Sequence, residues 1–453
     1  MIMQLSDINR AVHGRLLGGE AAIASVSIDT RTLQPGDLYI AIRGENFDGN
    51  DFVPQAEQAG AAAVLVERQV ETRLPAIVVA DTRQALADLA SAWREELSLP
   101  LCAITGSNGK TTVKEMLAAI LGVHAEVLYT KGNLNNAIGV PLTLLRMQVG
   151  HACAVIEMGA NHAGEIGFLC RCARPDVALI TNAGAAHIEG FGSLEGVARA
   201  KGEIIAELPA DGIAVLNADD RFYAYWRQLA GARKVLSFAL DSAADVTASD
   251  VKTGIRKERF VSEFTLQADQ QSLPVALPLA GRHNVLNALA ASAAALAMGI
   301  GLEQIRQGLE AVRPVPGRLQ LLRGRRGCLV IDDTYNANPS SLRAALEVLH
   351  DCGREPWVVL GSVGELGEDS RALHEQMGKE IKSMQVARLL ATGPDAEHTV
   401  RMFGKGALFF ASQSALIDTL LQQSQGHEAI LVKGSRARQM ERVVAALVDD
   451  FRK

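Results

Sequence analysis

The chain has 453 residues, 48% of them apolar and 21% charged, with a net charge of −6 and a pI near 6.0. At ~150 residues per domain this length suggests about three domains, each with an ordinary core. The acidic balance argues against a nucleic-acid surface as the main business of the protein.

The opening residues alternate polar and apolar character, unlike a signal segment. The most apolar helical run, Asn287–Gly301, is mostly alanine and too short to cross a bilayer, so no stable membrane insertion is expected. The cysteines Cys102, Cys153, Cys170, Cys172, Cys328 and Cys352 contain no Cys-x-x-Cys pair and read as buried thiols of a reducing compartment. A soluble, cytoplasmic protein follows as the expectation.

Short apolar runs at Ala22–Ile28, Leu38–Ile42, Ala61–Glu67 and Ala76–Val79, separated by Gly, Pro and Asp turns, predict a small α/β unit with little helix. Thr82–Leu97 has helical spacing, with Leu86, Leu89, Trp93 and Leu97 on one stripe, and Pro100 ends it. Leu101–Thr105 then reads as a buried strand. Val113, Met116, Leu117, Ile120 and Leu121 fall on one face of the helix that follows. Further strands are expected at Ala152–Ile156, Val177–Asn182 and Gly212–Leu216, and a β-rich patch over Val235–Leu279. The alanine-rich helix Asn284–Met298 closes this part. Beyond Pro314 and Pro316, strands at Cys328–Asp332, Trp357–Gly361, Ala387–Thr392, Ala407–Ala411 and Ala429–Lys433 alternate with helices, and a last helix is expected over Arg436–Phe451. That alternation predicts a parallel, doubly wound sheet.

Between the strand and helix near residue 105 lies Gly106-Ser107-Asn108-Gly109-Lys110-Thr111-Thr112. The usual phosphate loop has a further glycine where this chain has Ile104, and a bare Gly-Lys-Thr is common. The context is the one a phosphate loop needs: glycines let the backbone amides turn inward, and a helix start adds positive potential. Lys110 would then reach the outer phosphates and Thr111 would hold Mg²⁺. With no Asn-Lys-x-Asp base-reading motif, an ordinary GTPase is disfavoured. Glu157, at a strand end, reads either as a solvated helix-start residue or as a metal ligand. His187, in a glycine-rich loop, is structural, exposed or functional, and Lys201 alone reads as a surface lysine on a helix.

The chain resembles the Mur ligase family of ATP-dependent amide ligases over almost its whole length, and within it the dipeptide-adding branch. The resemblance is carried by GSNGKTT (106–112), GNLNNAIGVP (132–141), EMGANHAGEI (157–166), AAHIEGFGS (185–193) and AKGEI (200–204). It continues through LAGRHNVLNALAA (279–291), VPGRLQ (315–320), DDTYNANPSS (332–341) and LVKGSR (431–436). It implies an α/β protein of three domains: a small N-terminal UDP-binding domain (1–84), a central ATPase domain with a mainly parallel sheet (85–313) and a C-terminal Rossmann-like domain (314–453).

It further implies ATP and two Mg²⁺ ions, the metal being held by Thr111, Glu157, His187 and an N-carbamoylated Lys201. Asn284 and Asn287 would read the adenine edge with His283 beside them, Arg318 would approach the γ-phosphate, and Asp333 would take the ribose hydroxyls. Thr30, Arg31, Asn46 and Phe47 match segments that hold UDP. Asn135, Asn136, Tyr335, Asn336, Asn338, Lys433, Ser435 and Arg436 would face the other substrate parts or the domain seam. The implied substrates are UDP-N-acetylmuramoyl-tripeptide and D-alanyl-D-alanine, joined by a monomer. Ser362-Val363 replaces the branch's usual Asp-Met, and Ala137 stands where an acid is frequent. A sister ligase, a folylpolyglutamate synthetase and a non-catalytic ATP module are the rival readings.

Overall fold

Four sheets organise the chain in the computed structural model, which describes residues 3–184, 188–364 and 366–449. In the N-terminal part, Met3–Gln4 pairs with Ala22–Ile23. A five-stranded sheet runs in the order Arg15–Leu17, Ala76–Val78, Ala63–Val66, Asp37–Ile40, Ser25–Ser27, and only its first pair is antiparallel. Its α-helices, Leu5–Ala11 and Val53–Gln58, are short, as the turn-rich sequence predicts.

Helix Thr82–Glu96 begins on Asp81, whose carboxylate accepts the amides of Arg83 and Gln84. Its Leu86, Leu89 and Ala90 share one core with Leu5 and Ile8 on the N-terminal side and with Leu144 and Leu169 on the central side. The first unit is therefore fastened to the second by a continuous apolar contact rather than by a loose linker.

The central sheet has nine strands, in the order Gln271–Leu277, Arg259–Ala268, Val246–Arg256, Lys234–Phe238, Ile213–Asn217, Val177–Ile180, Leu101–Thr105, Cys153–Glu157, Val127–Tyr129. From Lys234–Phe238 onward the strands are parallel; the three at the other end form antiparallel ladders with one another. Both faces are covered. Leu101, Ala103 and Ile156 point into the core shared with Thr82–Glu96, while Cys102, Ile104 and Val155 point into the core under helices Lys110–Leu121 and Arg282–Ala297. That is why these strands read as continuous apolar runs. The alanines of Arg282–Ala297 lie in this second core, and their small size lets the helix lie close to its neighbours.

The C-terminal sheet has six strands, Gln320–Arg323, Leu329–Asp333, Glu428–Lys433, Glu355–Gly361, Arg388–Thr392 and Ala407–Phe410, in that order. All pairs are parallel except the first, an edge strand too short to announce itself by pattern. The expected last helix over Arg436–Phe451 is not continuous. A single 3-10 turn at Arg436–Arg438 is followed by Gln439 at φ 49°, and the α-helix spans only Glu441–Leu447. The break drops the fully buried Met440 onto the strand ends, where a Cβ on Gly361 or Gly434 would lie 2.8 or 2.7 Å from its Cγ.

Candidate active site

Strand Leu101–Thr105 delivers the chain to the phosphate loop at the carboxyl edge of the central sheet, where crossing connections leave room for a ligand. Gly106 has φ 151°, and a Cβ there would lie 1.8 Å from Thr181 Oγ1. Gly109 has φ 84°, and its Cβ would lie 2.4 Å from Asn287 Oδ1. Both glycines are therefore required by backbone angle and by close approach. The turn is braced from the next strand: Thr181 Oγ1 donates to the Asn108 carbonyl at 2.6 Å, Asn182 Nδ2 donates to the same oxygen at 3.1 Å, and the Asn108 amide donates to Asn182 Oδ1 at 3.0 Å.

Helix Lys110–Leu121 leaves this turn directly. Lys110 Nζ folds back to donate to the Gly106 carbonyl at 2.7 Å, and its ammonium lies well inside the cleft walls, so desolvation lowers its pKa against the attraction of Glu157. Thr111 Oγ1 donates to Glu157 Oε2 at 2.9 Å and accepts from Arg318 Nη2 at 3.0 Å. Asn135 Nδ2 donates to the other Glu157 oxygen at 2.8 Å. Glu157 is buried, and its backbone amide donates to Thr130 Oγ1 at 3.0 Å. A buried carboxylate beside a threonine hydroxyl is a hard-oxygen pair that fits Mg²⁺.

Around this corner opens a cleft of about 1240 Å³ whose walls come from all three parts of the chain. The C-terminal part adds Arg318, whose guanidinium stacks on the Tyr335 ring at 4.2 Å from its centroid. Asp333 receives the Lys433 ammonium at 2.5 Å, and Lys433 also donates to the Asn336 carbonyl at 3.0 Å. At the start of helix Arg282–Ala297, Asn284 Nδ2 donates to the Ala280 carbonyl at 2.7 Å and Asn284 Oδ1 accepts from Asn287 Nδ2 at 3.0 Å. His283 Nδ1 and Arg318 Nε are buried with no hydrogen-bond partner among the described residues. His283 is half-buried as a residue, and desolvation holds its pKa down at about 4. Lys201, on helix Leu194–Ala206, is 3% exposed and lines the same cleft. Burial first, then the nearby Lys110 ammonium, pulls its pKa down to about 7.

The cleft thus gathers the phosphate-loop residues Ser107 to Thr112 with Asn135, Asn136, Glu157 and Lys201, and the C-terminal Arg318, Asp333, Tyr335, Asn336, Asn338 and Lys433. Gly106 lies just behind it. His187 falls outside the described residues. Ser435 and Arg436 do not line the cleft: Ser435 Oγ donates to the Ser362 carbonyl at 3.0 Å, and Arg436 is exposed beside Glu441. Thr30, Arg31, Asn46 and Phe47 stand apart on the N-terminal surface. Arg31 is paired with Asp29, whose carboxyl it holds down at about 2, and Phe47 is 58% exposed, edge-on to Phe52 with centroids 6.4 Å apart. Sequence reasoning missed Glu45 and Arg83, which bring the N-terminal part to the rim, and the bracing pair Thr181 and Asn182. Only the position of Thr181 and Asn182 at the end of a buried strand hinted at the bracing pair.

Three family models match: the Mur ligase family catalytic domain over residues 22–94, the Mur ligase middle domain over 104–295 and the Mur ligase glutamate ligase domain over 317–436. The UDP-N-acetylmuramoyl-tripeptide–D-alanyl-D-alanine ligase of Escherichia coli K12 is 45% identical over 99% of this chain and 98% of its own length. The ligase of the same name from Bacillus subtilis is 36% identical over 95% of this chain and 94% of its own. Among solved structures, MurF from Acinetobacter baumannii superposes with a TM-score of 0.94 at 37% identity, covering 99% of each chain. MurF ligase from Thermotoga maritima in complex with ADP gives 0.83 at 29% identity, covering 93% of this chain and 96% of that one.

Proposed function

The chain belongs to the Mur ligase family, and we propose that it joins D-alanyl-D-alanine to the terminal carboxylate of UDP-N-acetylmuramoyl-tripeptide at the expense of ATP, in peptidoglycan precursor synthesis. The observation that carries this reading is the corner where Lys110, Thr111, Glu157 and Arg318 converge at the mouth of a cleft walled by three domains.

The tripeptide carboxylate attacks the γ-phosphorus of ATP, forming a carbonyl–O–P bond as ADP leaves with the electron pair of the broken P–O bond. The dipeptide amine then adds to the activated carbonyl, and collapse expels phosphate and leaves an amide. Two anions must meet in the first step. Lys110 and Arg318 neutralise that charge, and the amides around Gly109 bind the outer phosphates. Thr111 and Glu157 are the residues that would hold Mg²⁺, which when bound screens the phosphate oxygens. Asn284 and Asn287 are already tied to each other and to backbone, which fixes the edge they offer to adenine. Asp333, at present paired with Lys433, is the acceptor for the ribose hydroxyls.

Lys201 is the N-carbamoylated residue of this reading. A buried amine with a pKa near 7 has a substantial neutral fraction at physiological pH, so its nitrogen can add to CO₂ and lose a proton. Replacing a cation by an anion also relieves the repulsion from Lys110. The exposed Phe47–Phe52 pair offers an aromatic face for the uracil, and Glu45 on the same loop reaches the cleft. We take the working unit as a monomer with domains at 1–84, 85–313 and 314–453, each of which contributes residues to the cleft. No helix among the described residues is long and apolar enough to cross a membrane.

Phosphate release tests the reading: it should require ATP, the tripeptide nucleotide and D-alanyl-D-alanine together. Release that ignores either peptide would leave an ATP-binding module and no ligase. Lys110→Ala should lower the rate by about 100-fold or more while the circular dichroism spectrum is unchanged.

A further inference from the structure

The side-chain amide of Asn108 points away from the phosphate loop and meets the C-terminal domain. Its Oδ1 accepts from Asn338 Nδ2 at 2.8 Å, and its Nδ2 donates to Ser340 Oγ at 2.9 Å. Ser340 Oγ donates in turn to Asn338 Oδ1 at 2.9 Å, which closes a ring of three side chains from two domains.

Each half of the ring is fixed to its own domain. On the C-terminal side, Asn338 Oδ1 accepts the Ser341 amide at 2.8 Å and the Asn338 amide donates to Ser341 Oγ at 3.0 Å, a capping box that starts helix Pro339–Asp351. On the central side, the Asn108 backbone is held by Thr181 and Asn182. Asn338 and Ser341 already complete the cap, so the exposed Ser340 hydroxyl is not needed to begin the helix. Its partners are the two asparagines of the seam.

We propose that Ser340 is a positioning residue of the ligation: through Asn338 and Asn108 it latches the start of helix Pro339–Asp351 onto the phosphate loop. The C-terminal domain thereby docks in one register, with Lys433, Tyr335 and Asn336 facing the cleft. Because the contact is made to the loop that grips the phosphates, any shift of that loop is felt directly by the helix. The kinetic consequence rests on the ligase reading above; the latch itself does not.

The test uses the full chain with Ser340→Ala, Ser340→Thr, Asn108→Ala and the Asn108→Ala/Ser340→Ala pair. Ser340→Ala should lower kcat/KM for D-alanyl-D-alanine by about 3- to 10-fold, the range of one lost hydrogen bond, and Ser340→Thr should restore it. The double variant should be no worse than Asn108→Ala alone, because both break one ring. X-ray scattering with a nonhydrolysable ATP analogue should show Ser340→Ala less compact than the parent. Equal scattering curves, additive losses, or a Ser340→Ala enzyme with parental constants would overturn the latch. If the parent chain releases no phosphate with both peptides, the ligase reading falls, and the scattering comparison still decides the latch.

Discussion

Lys201 is a lysine whose charge the fold works against. It is 3% exposed, the Lys110 ammonium lies near, and its pKa is lowered from 10.5 to about 7. The direction sets the sign of the pH effect. The neutral amine, the form able to take up CO₂, grows as pH rises through about 7 and is lost below it. Ligation should therefore fall as pH drops below about 7, and added bicarbonate should oppose the fall; a rate indifferent to bicarbonate would count against the carbamate. Lys201→Ala should lose ligation by about 100-fold and regain part of it with a short-chain carboxylic acid, measured as phosphate release. At this scale the sequence was most informative where chemistry is carried by a motif. Lys110, Thr111 and Glu157 were legible from a strand–glycine–helix pattern and a strand-end acid. The depressed basicity of Lys201 was not, because it comes first from tertiary burial and then from a neighbour 91 positions away in the chain. The same holds for the Asn108–Ser340 contact, made across a separation of 232 residues.

Helix Lys110–Leu121 shows how one element serves both stability and chemistry. Its first turn carries Lys110 and Thr111; one turn later, Lys114 is fully buried, donates to the Thr130 carbonyl at 2.7 Å and pairs with Glu115 at 2.8 Å. Thr130 in turn accepts the Glu157 amide, so Lys114 ties the phosphate-loop helix to the strand end that carries the acid. Removing it leaves a buried carbonyl without its donor and opens a void. Lys114→Ala should cost about 2–3 kcal/mol, seen as a lower apparent melting temperature, together with a higher Mg²⁺ requirement. A melting curve superimposable on the parent's would contradict this account of the helix. Elements were predictable where apolar periodicity was long, as in Thr82–Glu96 and the alanine-rich Arg282–Ala297. They were lost where tertiary contacts overrule local pattern. The strands Val127–Tyr129 and Gln320–Arg323 are short edges, and the C-terminal helix breaks at Gln439 because Met440 is buried against the ends of two strands.

For the whole molecule, the cleft is built by no single domain. Arg318 bonds Thr111, Asn338 bonds Asn108, and Glu45 and Arg83 close the rim from the N-terminal side. An acyl phosphate is lost to water if exposed, so productive chemistry demands that these walls stay together while it exists. Scattering with an ATP analogue and the tripeptide nucleotide should show a smaller radius of gyration than the free chain; an unchanged value would contradict closure. The central and C-terminal sheets were legible from alternating strands and helices, and the N-terminal unit from short apolar runs between turns, whereas the seam between them was not, since it is written in isolated polar residues of separate segments.

The central claim is that the γ-phosphoryl group passes to a carboxylate gripped beside the Gly106–Thr112 turn. Tripeptide nucleotide labelled with ¹⁸O in its terminal carboxylate tests it most directly, by mass spectrometry of the phosphate released during ligation. One labelled oxygen should be carried into each phosphate; unlabelled phosphate, its fourth oxygen drawn from solvent, would contradict attack by the carboxylate.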